Sequence, residues 1–196
     1  MKLREIAFAI DEDLPQTVKY HLDKLIKKGL LEKLGTNDIR AVNPESEIDG
    51  LVKIPLLGQA NCGQALIYAP DDIQGFLPVS PSILNTRQYQ DLFAVQAVGH
   101  SMNASDIDGK SIQEGDYVIA KKMPFYEEGI YIVATFEGLA NVKRIVMDHN
   151  NGHVILQSES LDPMPPIYIG NADIDRLQVH GRVIQVLKNP KYAVTV

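Results

Sequence analysis

A serine hydroxyl is a weak nucleophile until something takes its proton, and two kinds of side chain in this sequence are able to take it, a neutral lysine amine or an imidazole. Lysine serves only where burial lowers its pKa toward neutrality, because loss of water disfavours the ammonium form. Ser101 adjoins His100 in the run Gly99-His100-Ser101-Met102. Neighbouring side chains of an extended chain point to opposite faces, so His100 reads as a local surface or packing residue and not as the base. His21, His149, His153 and His180 have no metal-ligand spacing among them, and Cys62 is the only cysteine. An internal disulfide and a cysteine-rich zinc site are thereby excluded, and neither metal nor cofactor is expected. A serine and a lysine by themselves specify nothing, since any such pair in the chain satisfies the same chemistry.

The elements that would position these residues divide the chain in two. Leu3, Ile6, Ala7 and Ile10 recur with helical spacing and predict a short first helix. Asp13 offers an N-cap, with Gln16 three residues on as in a capping box and Pro15 in the first turn, where its missing N–H costs nothing. The second helix then presents an apolar stripe of Val18, Leu22, Leu25 and Ile26, and Gly29 supplies a left-handed stop. Leu30 to Leu34 and Ile39 to Val42 read as two short strands around the tip Gly35-Thr36-Asn37-Asp38. From residue 43 to 53 the pattern lapses into Pro44, Gly50 and acidic or polar neighbours, which predicts a linker.

Beyond the linker the period becomes two. β-rich runs occur at Ile54–Leu57, Phe93–Val98, Tyr117–Ala120, Ile130–Phe136, Val142–Met147, Val154–Gln157 and Leu177–Leu187, with turns at Glu137-Gly138 and Asn151-Gly152. The expected fold class is α+β in two domains: a small helical reader over 1–42, the linker 43–53, and a mainly β domain over 54–196.

At 196 residues, 45% hydrophobic and 22% charged, the chain has the make-up of a soluble globular protein. No apolar stretch approaches the roughly 20 residues needed to cross a bilayer, and the N-terminus lacks a secretory pattern, so a cytoplasmic protein without membrane contact is expected. The net charge of −6 opposes binding to a polyanion until its distribution is considered. Residues 1–42 carry eight Lys/Arg against seven Asp/Glu, whereas 43–196 carry eleven against eighteen. Only the first segment favours DNA. On the exposed face of the second helix, Gln16, Thr17, Lys19 and Tyr20 are placed for bases or nearby phosphates, and Lys24, Lys27 and Lys28 for backbone attraction.

The run from Leu14 to Gly35, with Tyr20-His21-Leu22 leading to Lys28-Gly29-Leu30-Leu31-Glu32, resembles the recognition helix and first wing strand of winged helix-turn-helix regulators, and a minimal form of that domain, without its usual first helix, is the expectation. In the second half, Gly99-His100-Ser101-Met102, Ile112, Gly115-Asp116-Tyr117-Val118, Gly129 with Val133, and Val142-Lys143-Arg144 resemble the ordered signature of LexA-type self-cleaving repressors and their UmuD-like relatives. The resemblance implies that Ser101 is the nucleophile and Lys143 the general base, with the backbone N–H groups of His100 and Ser101 as the oxyanion hole. Strand parity puts Lys143 with Ile145 and Met147, and Arg144 with Val142 and Val146, so parity permits a buried Lys143 without selecting it over Arg144.

Gly58-Gln59-Ala60-Asn61-Cys62-Gly63 occupies the place of the family's cleavage site, which makes Cys62-Gly63 the expected scissile bond. Small side chains there allow close approach of the carbonyl, and glycine permits the turned backbone. The segment Asn103 to Gln113 is longer than in short family members, which bears on the loop beside the nucleophile. The resemblance further implies a homodimer through the C-terminal domain, operator DNA as ligand, and self-cleavage stimulated by an activated RecA filament. Other readings of the same motifs are a phage or mobile-element repressor with the same chemistry, a UmuD-like polymerase accessory protein, and a non-cleaving ligand-sensing repressor.

Overall fold

The computed structural model describes residues 15–27, 31–33, 39–41, 50–61, 73–123 and 125–189. The first helix expected around Leu3 to Ile10, the Asp13 cap, Lys28, Gly29, the wing tip and the Cys62-Gly63 bond lie outside the described residues.

The N-terminal part contains a helix, Pro15–Lys27, with proline as its first residue, where the ring's fixed φ suits a helix start. Val18 is buried, Leu22 and Ile26 are half-buried, and Leu25 is 36% exposed, so the stripe is covered less evenly than its spacing implies. Strands β1 (Leu31–Lys33) and β2 (Ile39–Ala41) pair antiparallel, with Glu32 opposite Arg40.

The remaining strands form one curled sheet. In chain order they are β3 (Val52–Asn61), β4 (Gly75–Val79), β5 (Leu92–Val98), β6 (Tyr117–Lys122), β7 (Tyr131–Phe136), β8 (Leu139–Asp148), β9 (His153–Gln157), β10 (Ile167–Ile169) and β11 (Leu177–Leu187). They lie side by side in the order β10-β9-β8-β7-β11-β6-β5-β3-β4, and the end of β3 also pairs with β8 through Asn61 and Asn141. That last pairing joins β8, β7, β11, β6, β5 and β3 into a closed ring. β3 runs parallel to β5 and β8, while the other neighbours are antiparallel.

Side-chain alternation fills the ring and coats its outside. Phe93, Val95 and Ala97 of β5 point into one buried cluster with Val118, Ala120, Val133, Val142 and Val183. The intervening Leu92 and Ala94 join Val52, Ile54, Val79, Leu84 and Ile119 on the other face. A third cluster covers the outer face of β7 and β8, with Ile132, Ala134 and Ile145 against Val154, Leu156 and Ile169. Two covered faces explain why these strands read as nearly continuous apolar runs.

Each of the seven expected β-rich runs falls on a strand, except that β7 starts one residue after Ile130, and β11 has the expected ends. The structure adds β4 and β10, both at sheet edges. β4 contains Pro78, which cannot donate to a ladder and is tolerated at an edge. β3 begins at Val52, inside the stretch read as linker; Val52 is 1% exposed and pairs with Val79. The Glu137-Gly138 turn joins β7 to β8 with positive φ at both residues, 54° and 78°, the conformation that a two-residue hairpin needs to match strand twist.

Candidate active site

Ser101 follows β5, in a turn entered through Gly99, whose φ of 85° is one that L side chains resist. The turn is held from below. Met102 is fully buried, and its carbonyl accepts the Ser105 hydroxyl at 2.7 Å. The Ser105 oxygen in turn accepts the Ile112 N–H at 3.1 Å. Ser105 is itself 5% exposed, so a hydroxyl that sequence reasoning did not single out closes the base of the nucleophile turn. A serine in a polar stretch carries no pattern that would have marked it.

Lys143 projects from the middle of β8, level with Ile132 on β7 and on the same side as Ile145. It is 5% exposed, and Ser101 is 3% exposed. Lys143 Nζ donates to Ser101 Oγ at 2.5 Å. Arg144 points to the other face, where its guanidinium is partly exposed and bonds the Glu159 carboxylate at 2.9 Å and the Gly129 carbonyl at 3.0 Å. Burial therefore separates two cations that strand parity left level.

The strand that precedes the expected scissile bond, β3, ends on the two strands from which Ser101 and Lys143 come. β3 has a register shift between Leu56 and Gln59, where Gly58 adopts φ of 96° and Gln74 fills the space a Cβ would take. After that kink Asn61 lies level with Val98 on β5 and with Asn141 on β8, close in sequence to Ser101 and Lys143 respectively. Ile73 packs on the inner cluster, and Gln74 N–H donates to the Leu56 carbonyl at 2.8 Å.

His100 faces away from this arrangement as parity suggested: its Nε2 is 3.7 Å from an Asp162 carboxylate oxygen, and both side chains are exposed. The Gly115-Asp116 part of the signature is structural. The buried Asp116 carboxylate accepts the Gln113 N–H and the Lys188 ammonium, each at 2.8 Å, tying the end of β11 to the turn before β6. On the N-terminal helix Gln16, Lys19, Tyr20, Lys24 and Lys27 are exposed and Thr17 is half-buried. Tyr20 meets His21 edge to face at 5.5 Å.

A curled sheet that brings a buried serine and lysine together agrees with the match of residues 55–184 to the Peptidase S24-like family, and the chain belongs to that family. Its relatives narrow the class to the LexA type. A LexA repressor of Oenococcus oeni is 31% identical over 97% of this chain and 88% of its own. The LexA repressor of Lactobacillus delbrueckii subsp. bulgaricus is 32% identical over 93% and 83%, and that of Clostridium kluyveri 27% over 95% and 85%.

Proposed function

We propose that this chain is a cytoplasmic DNA-binding repressor of the LexA type that inactivates itself by cutting its own Cys62-Gly63 bond, with Ser101 as nucleophile and Lys143 as general base. The observation that carries this reading is the buried contact between Lys143 Nζ and Ser101 Oγ at the end of the strand that leads into Cys62.

A buried amine without full hydration favours its neutral form, whose lone pair can accept the hydroxyl proton that the charged form cannot. In the proposed reaction Ser101 Oγ loses its proton to Lys143 and attacks the Cys62 carbonyl carbon. The backbone N–H groups of His100 and Ser101 receive the resulting oxyanion. The C–N bond then breaks as Lys143 returns the proton to the departing Gly63 amine, leaving Cys62 esterified to Ser101. The neutral lysine next takes a proton from a water that attacks the ester carbonyl, the acyl C–Oγ bond breaks, and the proton passes from Lys143 to Ser101 Oγ, freeing the Cys62 carboxylate. The substrate is tethered, so attack is intramolecular and needs no affinity for other chains.

The N-terminal segment supplies the reader. The helix Pro15–Lys27, with its exposed Gln16, Lys19 and Tyr20 and its later Lys24 and Lys27, is followed by a two-stranded wing. Relatives named as repressors match this chain well beyond the β domain, which favours a repressor over a polymerase accessory protein. In this account the C-terminal domains form a homodimer that presents two readers to paired half-sites, and cutting after Cys62 dissolves that avidity. An activated RecA filament is the proposed stimulus.

Purified protein at mildly alkaline pH is expected to split into fragments 1–62 and 63–196 by intact-mass spectrometry, faster as pH rises and the neutral fraction of Lys143 grows. Ser101→Ala is expected to stay whole and to keep its operator occupied after DNA damage. A wild-type chain that remains uncut after prolonged incubation with activated RecA would overturn the reading.

A further inference from the structure

Lys143 and Arg144 are adjacent on β8 and serve opposite faces, and the face that Arg144 serves holds a polar cluster away from the dyad. Glu159, just past β9, receives Arg144 Nη1 on one carboxylate oxygen at 2.9 Å and the Tyr131 hydroxyl on the other at 2.5 Å. The Tyr131 oxygen also accepts the Asp106 N–H at 3.1 Å, and the Glu159 carbonyl accepts the Ala104 N–H at 2.9 Å. Nearby, the Asn103 side-chain oxygen accepts the Leu161 N–H at 2.8 Å. Ala104 and Asp106 belong to the chain that leaves Ser101, whereas Tyr131 and Arg144 stand opposite one another on β7 and β8.

We propose that Glu159, together with Tyr131 and Arg144, is a positioning cluster that fixes the Ser101 turn against the strand carrying Lys143, and so sets the approach of hydroxyl to amine. The inference rests on the Ser101-Lys143 reading above and assigns residues to it that do not touch the reacting atoms. Its logic is a two-sided attachment. Arg144 holds Glu159 to β8 next to Lys143, and Glu159 holds the nucleophile turn both by its own carbonyl and through the Tyr131 hydroxyl. Misplacement by about 1 Å is enough to cost an intramolecular attack much of its advantage, so a second anchor beyond the Met102–Ser105 bonds matters to the rate.

The protonation states suit such an attachment. Burial, the largest influence, raises the Tyr131 phenol above its ordinary value, which keeps its proton available for donation. The hydrogen bond to Glu159 holds the Arg144 guanidinium protonated. The cluster also accounts for the arginine of the Val142-Lys143-Arg144 motif, which does no chemistry itself in this scheme.

The test uses the full-length protein and two rates measured on the folded fraction: self-cleavage, and phosphonylation of Ser101 by a small fluorophosphonate, which needs the activated hydroxyl but not the 62–63 loop. Tyr131→Phe removes a single hydroxyl and is expected to slow both rates about tenfold, the worth of one hydrogen bond in the barrier. Glu159→Ala is expected to slow both further, with faster amide hydrogen exchange at Ala104 and Asp106. Tyr131→Phe with both rates unchanged overturns the proposal, and so does slowed self-cleavage with normal phosphonylation, which would place the cluster in loop seating. Lys143→Ala separates the dyad from its support. Undiminished cleavage in Lys143→Ala removes the dyad and this proposal with it, whereas a dead Lys143→Ala beside a fully active Tyr131→Phe removes only the positioning role.

Discussion

The lysines of the N-terminal helix and the lysine of β8 are the same side chain in opposite surroundings. Lys19, Lys24 and Lys27 stand in solvent, where the proposed function has them attract phosphate. Lys143 is buried with its nitrogen on a serine oxygen, where the proposed function needs the neutral amine. Charge counts therefore say little about what a cation does until its hydration is known. The same contrast makes a net charge of −6 compatible with the proposed DNA binding, which needs only a local excess of cations in residues 1–42.

The largest effect that would sharpen the contrast comes from Lys143→Arg, which keeps a cation in place but replaces a titratable amine with a guanidinium that does not give up its proton. Self-cleavage is expected to fall by about a thousandfold, within the range general bases contribute. Intact-mass time courses measure it, and a rate near wild type would break the distinction between a buried base and a surface charge.

An intermediate effect is expected on the helix. Replacing Lys19, Lys24 or Lys27 by Ala should weaken DNA binding across sequences and reduce the slope of log affinity against log salt by roughly 0.9 for each phosphate that is no longer neutralised. Fluorescence anisotropy over a salt series reads this, and an unchanged slope would remove that lysine from the interface.

The smallest effect concerns His180, a half-buried base whose Nε2 lies 3.0 Å from the Thr135 hydroxyl oxygen. Burial lowers its pKa below the ordinary histidine value. The unfolded chain therefore binds more protons than the folded one between those two values, and stability rises with pH through that interval. The penalty is complete below the folded value and gone above the unfolded one. His180→Gln is expected to flatten this part of the acid limb in urea midpoints measured against pH, and an identical pH slope in both proteins would show that burial there carries no titration penalty.

Much of the β domain is legible in the sequence because alternation and turn chemistry are local. The Glu137-Gly138 hairpin and the whole of β11 can be read from a few neighbouring residues. β4 and β10 escape that reading because one contains a proline and the other is three residues long, and both depend on a neighbouring strand for their existence. The site divides in the same way. Ser101 and Lys143 come from the ordered motifs around them, whereas Ser105, Tyr131 and Glu159 lie in stretches whose spacing signals nothing. Their roles arise from hydrogen bonds to backbone far along the chain.

By itself the sequence determined which segments alternate, where the chain changes from helical to extended, and which serine and lysine stand within a recognisable order of motifs. Tertiary structure alone decided that β3 closes on β8, that Lys143 and not Arg144 is enclosed, and that the Ser101 turn is tied to the strand of its partner. The physical reason is that periodicity reports only which face a side chain takes. Hydration, and with it the choice between a charge and a base, depends on what covers that face, and here the hydroxyl against Lys143 comes from a turn 42 residues earlier in the chain.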